Sequence, residues 1–448
     1  MIIIRNFLTI RYNSTHFFLS LQSFLLKKYP DIKQIYSFNM VKLLKISVLF
    51  FILLIFSCRQ NTYAQLTENL FTTDRNIYPH EKGVLSIDVD NLSFYKNNEF
   101  DSKIVKGYTL PGFWLHMKAV YNPLSNLRLE LGAHSVWFFG ATRYPAFAYK
   151  GISVWNGNDY SNNVHVLPFY RANLALSENV NVIIGNIYGG SNHRLIEPLY
   201  NPELNLTSDP ETGLQLLYKT KWLDLDLWID WMTFIYNLDT HQESFVSGAS
   251  AQFNLNSPDS RFHAYLPVQG IVQHKGGEIN VSTSNVQTIM NGAVGAGLVW
   301  NVNNYTIKNV NVEFDVLGYI FPKGNIFEKK HGKGYYLKTA VQIKDFTIKT
   351  SYWSNRGYMP IYGNIFYGAR EVVTENVAYN NPSMFNFGAD YALPLGKGFA
   401  FGINADMYYC LPVKAYRNNE LFYSYTDKMN YSMGVYLRVN PSFFIKRY

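Results

Sequence analysis

Three aspartates share one face of a single fifteen-residue stretch, Trp222 to Tyr236 (W-L-D-L-D-L-W-I-D-W-M-T-F-I-Y): Asp224, Asp226 and Asp230. Carboxylates in a row can pair with cations, carry protons or select solutes by charge. Which of these they do depends on the element that presents them. Side chains of a strand alternate between faces with a period of two, so the aspartates lie with Trp228, Met232 and Phe234 on one face. Leu223, Leu225, Leu227, Ile229 and Trp231 take the other. On a helix the same aspartates would scatter around the axis, so the stretch reads as a strand with one apolar and one acidic side.

A second group with chemical potential is Gly189-Gly190-Ser191-Asn192-His193-Arg194-Leu195-Ile196-Glu197-Pro198, the densest polar cluster outside a strand. His193, Arg194 and Glu197 can fold inward as a constriction or bind a surface ligand. The plainer alternative is a turn packed on a rim by Leu195, Ile196 and Leu199. The glycine pair permits a sharp bend but is too little for a phosphate cradle. No H-E-x-x-H, G-x-S-x-G or phosphate-loop motif occurs. His134 and Ser135 are adjacent, so on a strand they face opposite ways and form no nucleophile–base pair. On these grounds the chain is expected not to be an enzyme and to carry no cofactor and no metal.

The elements around these groups repeat the alternation of the Trp222–Tyr236 stretch along the chain. Candidate strands are joined by connections that are short, then long, then short again. Transmembrane strands need roughly 9–11 tilted residues with apolar side chains outward and polar ones toward a wet lumen. The expected fold is therefore all-β: a transmembrane antiparallel β-barrel of about sixteen strands, with short periplasmic turns and long extracellular loops. In that frame the lumen receives Arg128, Glu130, His134, Arg171, Asp224, Asp226, Asp230, Glu313, Asp315, Lys338 and Asp406, with Lys344, Lys349, Asp390 and Arg438 also read as inward. Glu313 and Asp315 should meet Lys338 of the next strand as cross-strand ion pairs. Such rows either set a transverse field in a pore or stiffen the wall as a satisfied network.

Residues 40–64 have the pattern of a signal peptide: Lys42 and Lys45, an apolar run from Ile46 to Phe56, and Thr62-Tyr63-Ala64 before the expected cleavage at Gln65. Residues 1–39 read as an upstream extension or a mis-assigned start, 65–82 as a periplasmic tail and 83–448 as the barrel. Cys58 offers a competing lipidation site with a poor lipobox. The first 64 residues hold eight of the 40 basic residues and one of the 32 acidic ones, so the rest is near neutral and net charge gives no argument for nucleic acid. Thirty-five tyrosines and 32 phenylalanines suit aromatic girdles at the two membrane interfaces, and the loop aromatics around Trp137, Tyr144, Phe147, Tyr149 and Trp155 can belong to them or stack on sugars.

The signal ending at Ala64-Gln65, the aromatic-rich alternating strands and the chain length resemble porin-like outer-membrane β-barrels of the Bacteroidota, and Asn192 to Tyr200 looks like a family signature. The resemblance implies placement in the outer membrane, among lipid and lipopolysaccharide, after delivery by the barrel-insertion machinery. It implies a porin-like channel for passive diffusion of small polar solutes such as saccharides. The alternative is a plugged barrel that binds surface polysaccharide or serves capsule or envelope assembly. A homo-oligomer is compatible with this fold class.

Overall fold

The computed structural model of the protein describes residues 70–139, 164–304, 306–324, 329–371, 377–426 and 428–448. The readings for residues 1–64, for 65–69 and for Tyr144, Phe147, Tyr149 and Trp155 lie outside the described residues.

Strict alternation produces the strands, and ladder pairing bends the sheet back on itself. In chain order they are β1 (Val84–Asp101), β2 (Lys106–Leu124), β3 (Leu127–Phe138), β4 (His165–Ser177), β5 (Val180–Asn186), β6 (Thr212–Lys219) and β7 (Leu223–Thr233). There follow β8 (Glu243–Asn254), β9 (Phe262–Gly276), β10 (Gln287–Asn301), β11 (Ile307–Lys323), β12 (His331–Ile343), β13 (Phe346–Arg356) and β14 (Val377–Tyr379). The last are β15 (Ser383–Gly396), β16 (Phe399–Cys410), β17 (Val413–Arg417), β18 (Glu420–Tyr425), β19 (Lys428–Val439) and β20 (Ser442–Arg447). All but β14, β17, β18 and β20 form an antiparallel wall of sixteen strands. β1 pairs with β2 on one side and with β19 on the other, from Asn91↔Val439 to Glu99↔Tyr431. Closure removes the edges that a membrane cannot solvate. β20 adds to the base of β1, and β14, β17 and β18 form a separate small sheet at the end of the long connections.

Outward positions are apolar and exposed, including Leu131, Ile184, Val294 and Ile348, each more than half exposed. In water this band would be a liability; around a closed barrel it is the lipid-facing surface of an outer-membrane protein. Inward positions are polar and mostly buried, because chain segments fill the lumen. The segment between β5 and β6 and the segment after β13 pack on the inner wall, joining Ile196, Leu199, Phe366 and Tyr367 to wall residues Leu317, Tyr336 and Trp353.

Two further stretches send residues into the lumen. β1 continues through the charged stretch after Tyr95 to Asp101, and β2 begins at Lys106. Lys96 and Asn98 face inward: Asn98 Nδ2 donates to Glu203 at 2.9 Å and Lys96 Nζ lies 3.4 Å from the same carboxylate. Leu70–Asn76, read as part of a periplasmic tail, is also drawn inside. Leu70 is buried, Arg438 donates to its carbonyl at 3.0 Å, and the Thr73 amide donates to Asn192 Oδ1 at 3.0 Å.

Candidate active site

The site begins where a wall strand leaves the wall. Gly185 in β5 has φ +97°, a left-handed conformation open to glycine, and a Cβ there would come within 2.4 Å of the Tyr170 carbonyl oxygen. Beyond it the Asn186 side chain replaces the ladder, accepting from the Tyr170 amide and donating to Thr212 Oγ1, each at 2.8 Å. The chain then turns into the lumen through a single 3-10 turn, Gly190–His193, and the short helix α1 (Leu204–Thr207), before returning to the wall at Thr212.

The aspartates of β7 dock this inserted segment. Asp224 receives both arms of Arg194, at 2.6 and 2.8 Å. Asp226, fully buried, faces His193 Nδ1 at 2.9 Å, accepts from Gln215 Nε2 at 2.9 Å and has Arg75 at 3.8 Å. Asp230 accepts the Thr212 amide at 2.8 Å. His193 Nε2 meets Glu211 at 2.9 Å, and the other Glu211 oxygen accepts the Gly190 amide at 2.7 Å. The imidazole lies flat on Trp228, with ring centroids 3.6 Å apart and 11° between planes.

Burial alone would push the His193 pKa down, but the Glu211 and Asp226 carboxylates outweigh it and lift the ring to about 9. Burial likewise opposes ionisation of Glu211, and the His193 charge with the Gly190 amide holds its carboxyl below the ordinary value. The pair is therefore imidazolium and carboxylate at neutral pH. Asp226 is sealed behind the ring, whereas the Glu211 side chain is about a fifth exposed. Glu211 faces a cavity of about 180 Å³ lined also by Trp228, Met232, Val246, Ile271 and Tyr362. A proton acceptor backed by a fixed cation, against an apolar hollow, suits attack by water on an apolar acyl compound. Among the described residues no three His, Cys, Asp or Glu side chains converge as a metal cage.

The other residues picked from sequence fall into separate groups. Glu130 gathers Lys118 (2.5 Å), Arg128 (2.8 Å) and Arg171 (3.3 Å) into a buried network, and Arg128 reaches Asp88 at 3.2 Å. His134 Nδ1 sits 2.7 Å from His116 Nε2. Glu313 meets Lys338 at 2.7 Å and takes a short hydrogen bond from Tyr265; Asp315 is buried two positions on. Asp406 accepts from Asn404 at 2.7 Å, Lys349 pairs with Asp390 at 2.8 Å and Arg438 forks onto Asp90 at 2.9 Å. Glu197 accepts the Tyr367 hydroxyl at 2.8 Å, and burial raises its pKa against the opposing charge of Lys349. Lys344 is not inward; it is exposed in the β12–β13 turn with φ +53°. Glu211, Gln215 and Arg75 escaped the sequence reading. Gln215 was findable, at an inward position of β6 opposite Trp228, but nothing local marks Glu211 or Arg75.

Among the described residues the wall beside this cavity is incomplete. β4 pairs with β3 up to His165 but with β5 only as far as Arg171↔Gly185, and β6 follows β7 only to Gly213↔Asp230. β4 residues 165–170 and β7 residues 231–233 thus face each other across two strands that stop short, at the end of the long connections.

Residues 77–448 match the family described as Lipid A 3'-O-deacylase-type. The chain belongs to that family. The match overturns the expectation of a non-enzymatic barrel, since the family takes its name from a hydrolytic activity. Motif searching missed it because no contiguous nucleophile signature is present; the candidate groups lie on β7, in the inserted segment and at its return. No curated protein matches the sequence. Among solved structures the chain is similar to OprD of Pseudomonas aeruginosa (10% identity, covering 84% of this chain and 98% of that one, TM-score 0.43). It is similar to OccK8 (OprE) of the same organism (10%, 82% and 100%, TM-score 0.44) and to the trimer form of OmpT of Vibrio cholerae (7%, 80% and 99%, TM-score 0.43).

Proposed function

We propose that this deacylase-type barrel is an outer-membrane ester hydrolase that removes an acyl chain from a lipid A-type glycolipid. The observation that carries the reading is the His193–Glu211 ion pair at the apolar cavity of a membrane-embedded wall; the family supplies the reaction class. Glu211 takes a proton from water, whose oxygen bonds to the acyl carbon. The ester C–O bond then breaks, and the proton passes from Glu211 to the departing sugar oxygen. His193 is a positioning residue: its charge keeps Glu211 ionised, Asp226 anchors its second nitrogen and Trp228 fixes its plane.

The test is fatty-acid release by the purified full chain in phosphatidylcholine vesicles containing hexa-acylated lipid A. Glu211→Gln is expected to lower turnover by about 10²-fold or more. His193→Gln, which removes the charge that depresses Glu211, is expected to move the acid limb of the pH–rate profile to higher pH. No release by the wild type, or equal release by Glu211→Gln, would defeat the reading.

Passive diffusion of small polar solutes is the second reading. It is favoured by a cavity of about 600 Å³ in the half of the lumen nearer the short turns, bordered by Arg194, Lys338, Lys349 and Asp390. Against it stands the inserted segment, whose His193, Leu199 and Leu204 are buried in the barrel interior. A stable ohmic pore in a planar bilayer would favour diffusion.

A further inference from the structure

We infer that the gap in the wall between β4 and β7 is a side entrance through which one acyl chain of an outer-leaflet glycolipid passes from the bilayer into the cavity at Glu211. The inference takes its substrate class from the hydrolase reading; the entrance itself rests on the pairing of the wall.

With two short strands between them, β4 and β7 stand three strand spacings apart at this level, about 14 Å. Residues 231–233 of β7 are laddered to β8 and residues 166–169 of β4 to β3, but among the described residues neither stretch has a ladder partner on the side facing the other, which gives the gap a height of roughly 10–14 Å. A barrel that must seal would pair these edges or charge them. Here the ladder stops, and single side-chain contacts take its place. The Tyr170 amide points toward β5, where Asn186 takes it. Amides on a strand alternate sides, so the amide two residues back would point the same way, and that residue is Pro168, which has none. Between them, Asn186 and Pro168 remove two of the donors that this edge would otherwise present to water or a partner strand.

The gap is also lined for a lipid chain. Outside it stand Val166, Tyr170 and Trp231, all exposed. Inside, Leu167 and Met232 turn toward the lumen and border the same cavity as Glu211, and so does Trp231 from the outer face. The cavity thus reaches β7 at the level where the β6–β7 ladder stops. Asp209 and Pro210 of the returning segment form its lip, and His165 holds Asp209 at 3.1 Å above it. An acyl chain entering here lies along the hollow and leaves its sugar, with the adjoining ester, at the polar end, where Asp209, Pro210 and Glu211 border the cavity.

The test places the photo-crosslinking residue p-benzoylphenylalanine at Met232, behind the gap, or at Leu227, on the lipid face of the same strand. The full chain is illuminated in phosphatidylcholine vesicles containing hexa-acylated lipid A. Capture of lipid A at Met232, cut at least fivefold by Leu167→Trp while capture at Leu227 is unchanged, is the expected result. Capture at Leu227 with none at Met232 would overturn the entrance. The two readings fail separately: acyl release with no capture at Met232 removes the entrance and leaves the hydrolase, whereas capture at Met232 without acyl release keeps the entrance and removes the hydrolase.

Discussion

Asp226→Asn separates a histidine that is charged because of its surroundings from one that is merely buried. Asparagine keeps the shape and one acceptor oxygen, so Gln215 still finds a partner, but the charge 2.9 Å from His193 is gone. Lifting the ring from 6.5 to about 9 corresponds to roughly 3 kcal/mol of preference for the charged form in the folded protein. One of two flanking carboxylates is expected to account for about 1–3 pH units of that balance. The sign follows from linkage. A raised folded pKa gives stability that is complete below pH 6.5 and disappears as pH rises through about 9. Glu211, held low, gives stability that is present above its ordinary 4.5 and disappears as pH falls through its folded value. The inserted segment should therefore be held most firmly from about pH 4.5 to 6.5 and loosen toward pH 9. In Asp226→Asn the loosening should begin at lower pH. Two readouts apply: the ¹³C shift of the labelled His193 ring, and trypsin cleavage after Arg194, which is the sole lysine or arginine between 187 and 211. An unchanged His193 titration in the variant, or an Arg194 cleavage rate identical at pH 6 and pH 9 in the wild type, would refute the reasoning.

Trp228→Ala removes the ring on which His193 lies and is expected to destabilise docking by about 3–5 kcal/mol, read as faster cleavage at Arg194. Glu130→Gln leaves Lys118, Arg128 and Arg171 without their shared counter-charge; a loss of about 3–5 kcal/mol should appear as a lower temperature for heat-induced loss of the compact band on gels. Arg438→Ala frees the carbonyls of Leu70 and Thr72 and the carboxylate of Asp90, so residues 70–76 should exchange amide hydrogens faster while the wall strands keep their protection.

What the sequence made legible was whatever depends on period two. The alternation of Leu223 to Met232 assigns every side chain of β7 to its face, and the same rule places Glu130, Asp315 and Asp406 inside before any pairing is known. Glu313 and Lys338 could be matched because their strands follow each other across a hairpin. The role of the aspartate row was not legible, because a carboxylate facing a channel and one docking a segment have the same local pattern. Only the path of residues 187–211 through the lumen separates them. The incomplete wall left faint marks, the proline in β4 and the glycine at the end of β5, which take on meaning once the β4–β5 and β6–β7 registers are known. The His193–Glu211 pair joins residues eighteen apart through a loop conformation that no periodicity specifies.

Acyl removal is read most directly in the mass spectrum of lipid A extracted from outer membranes that contain this barrel. The expected result is a lipid A species lighter by one acyl chain with the wild type and absent with Glu211→Gln at equal barrel abundance. An intact lipid A spectrum from membranes carrying the folded wild-type barrel would contradict it.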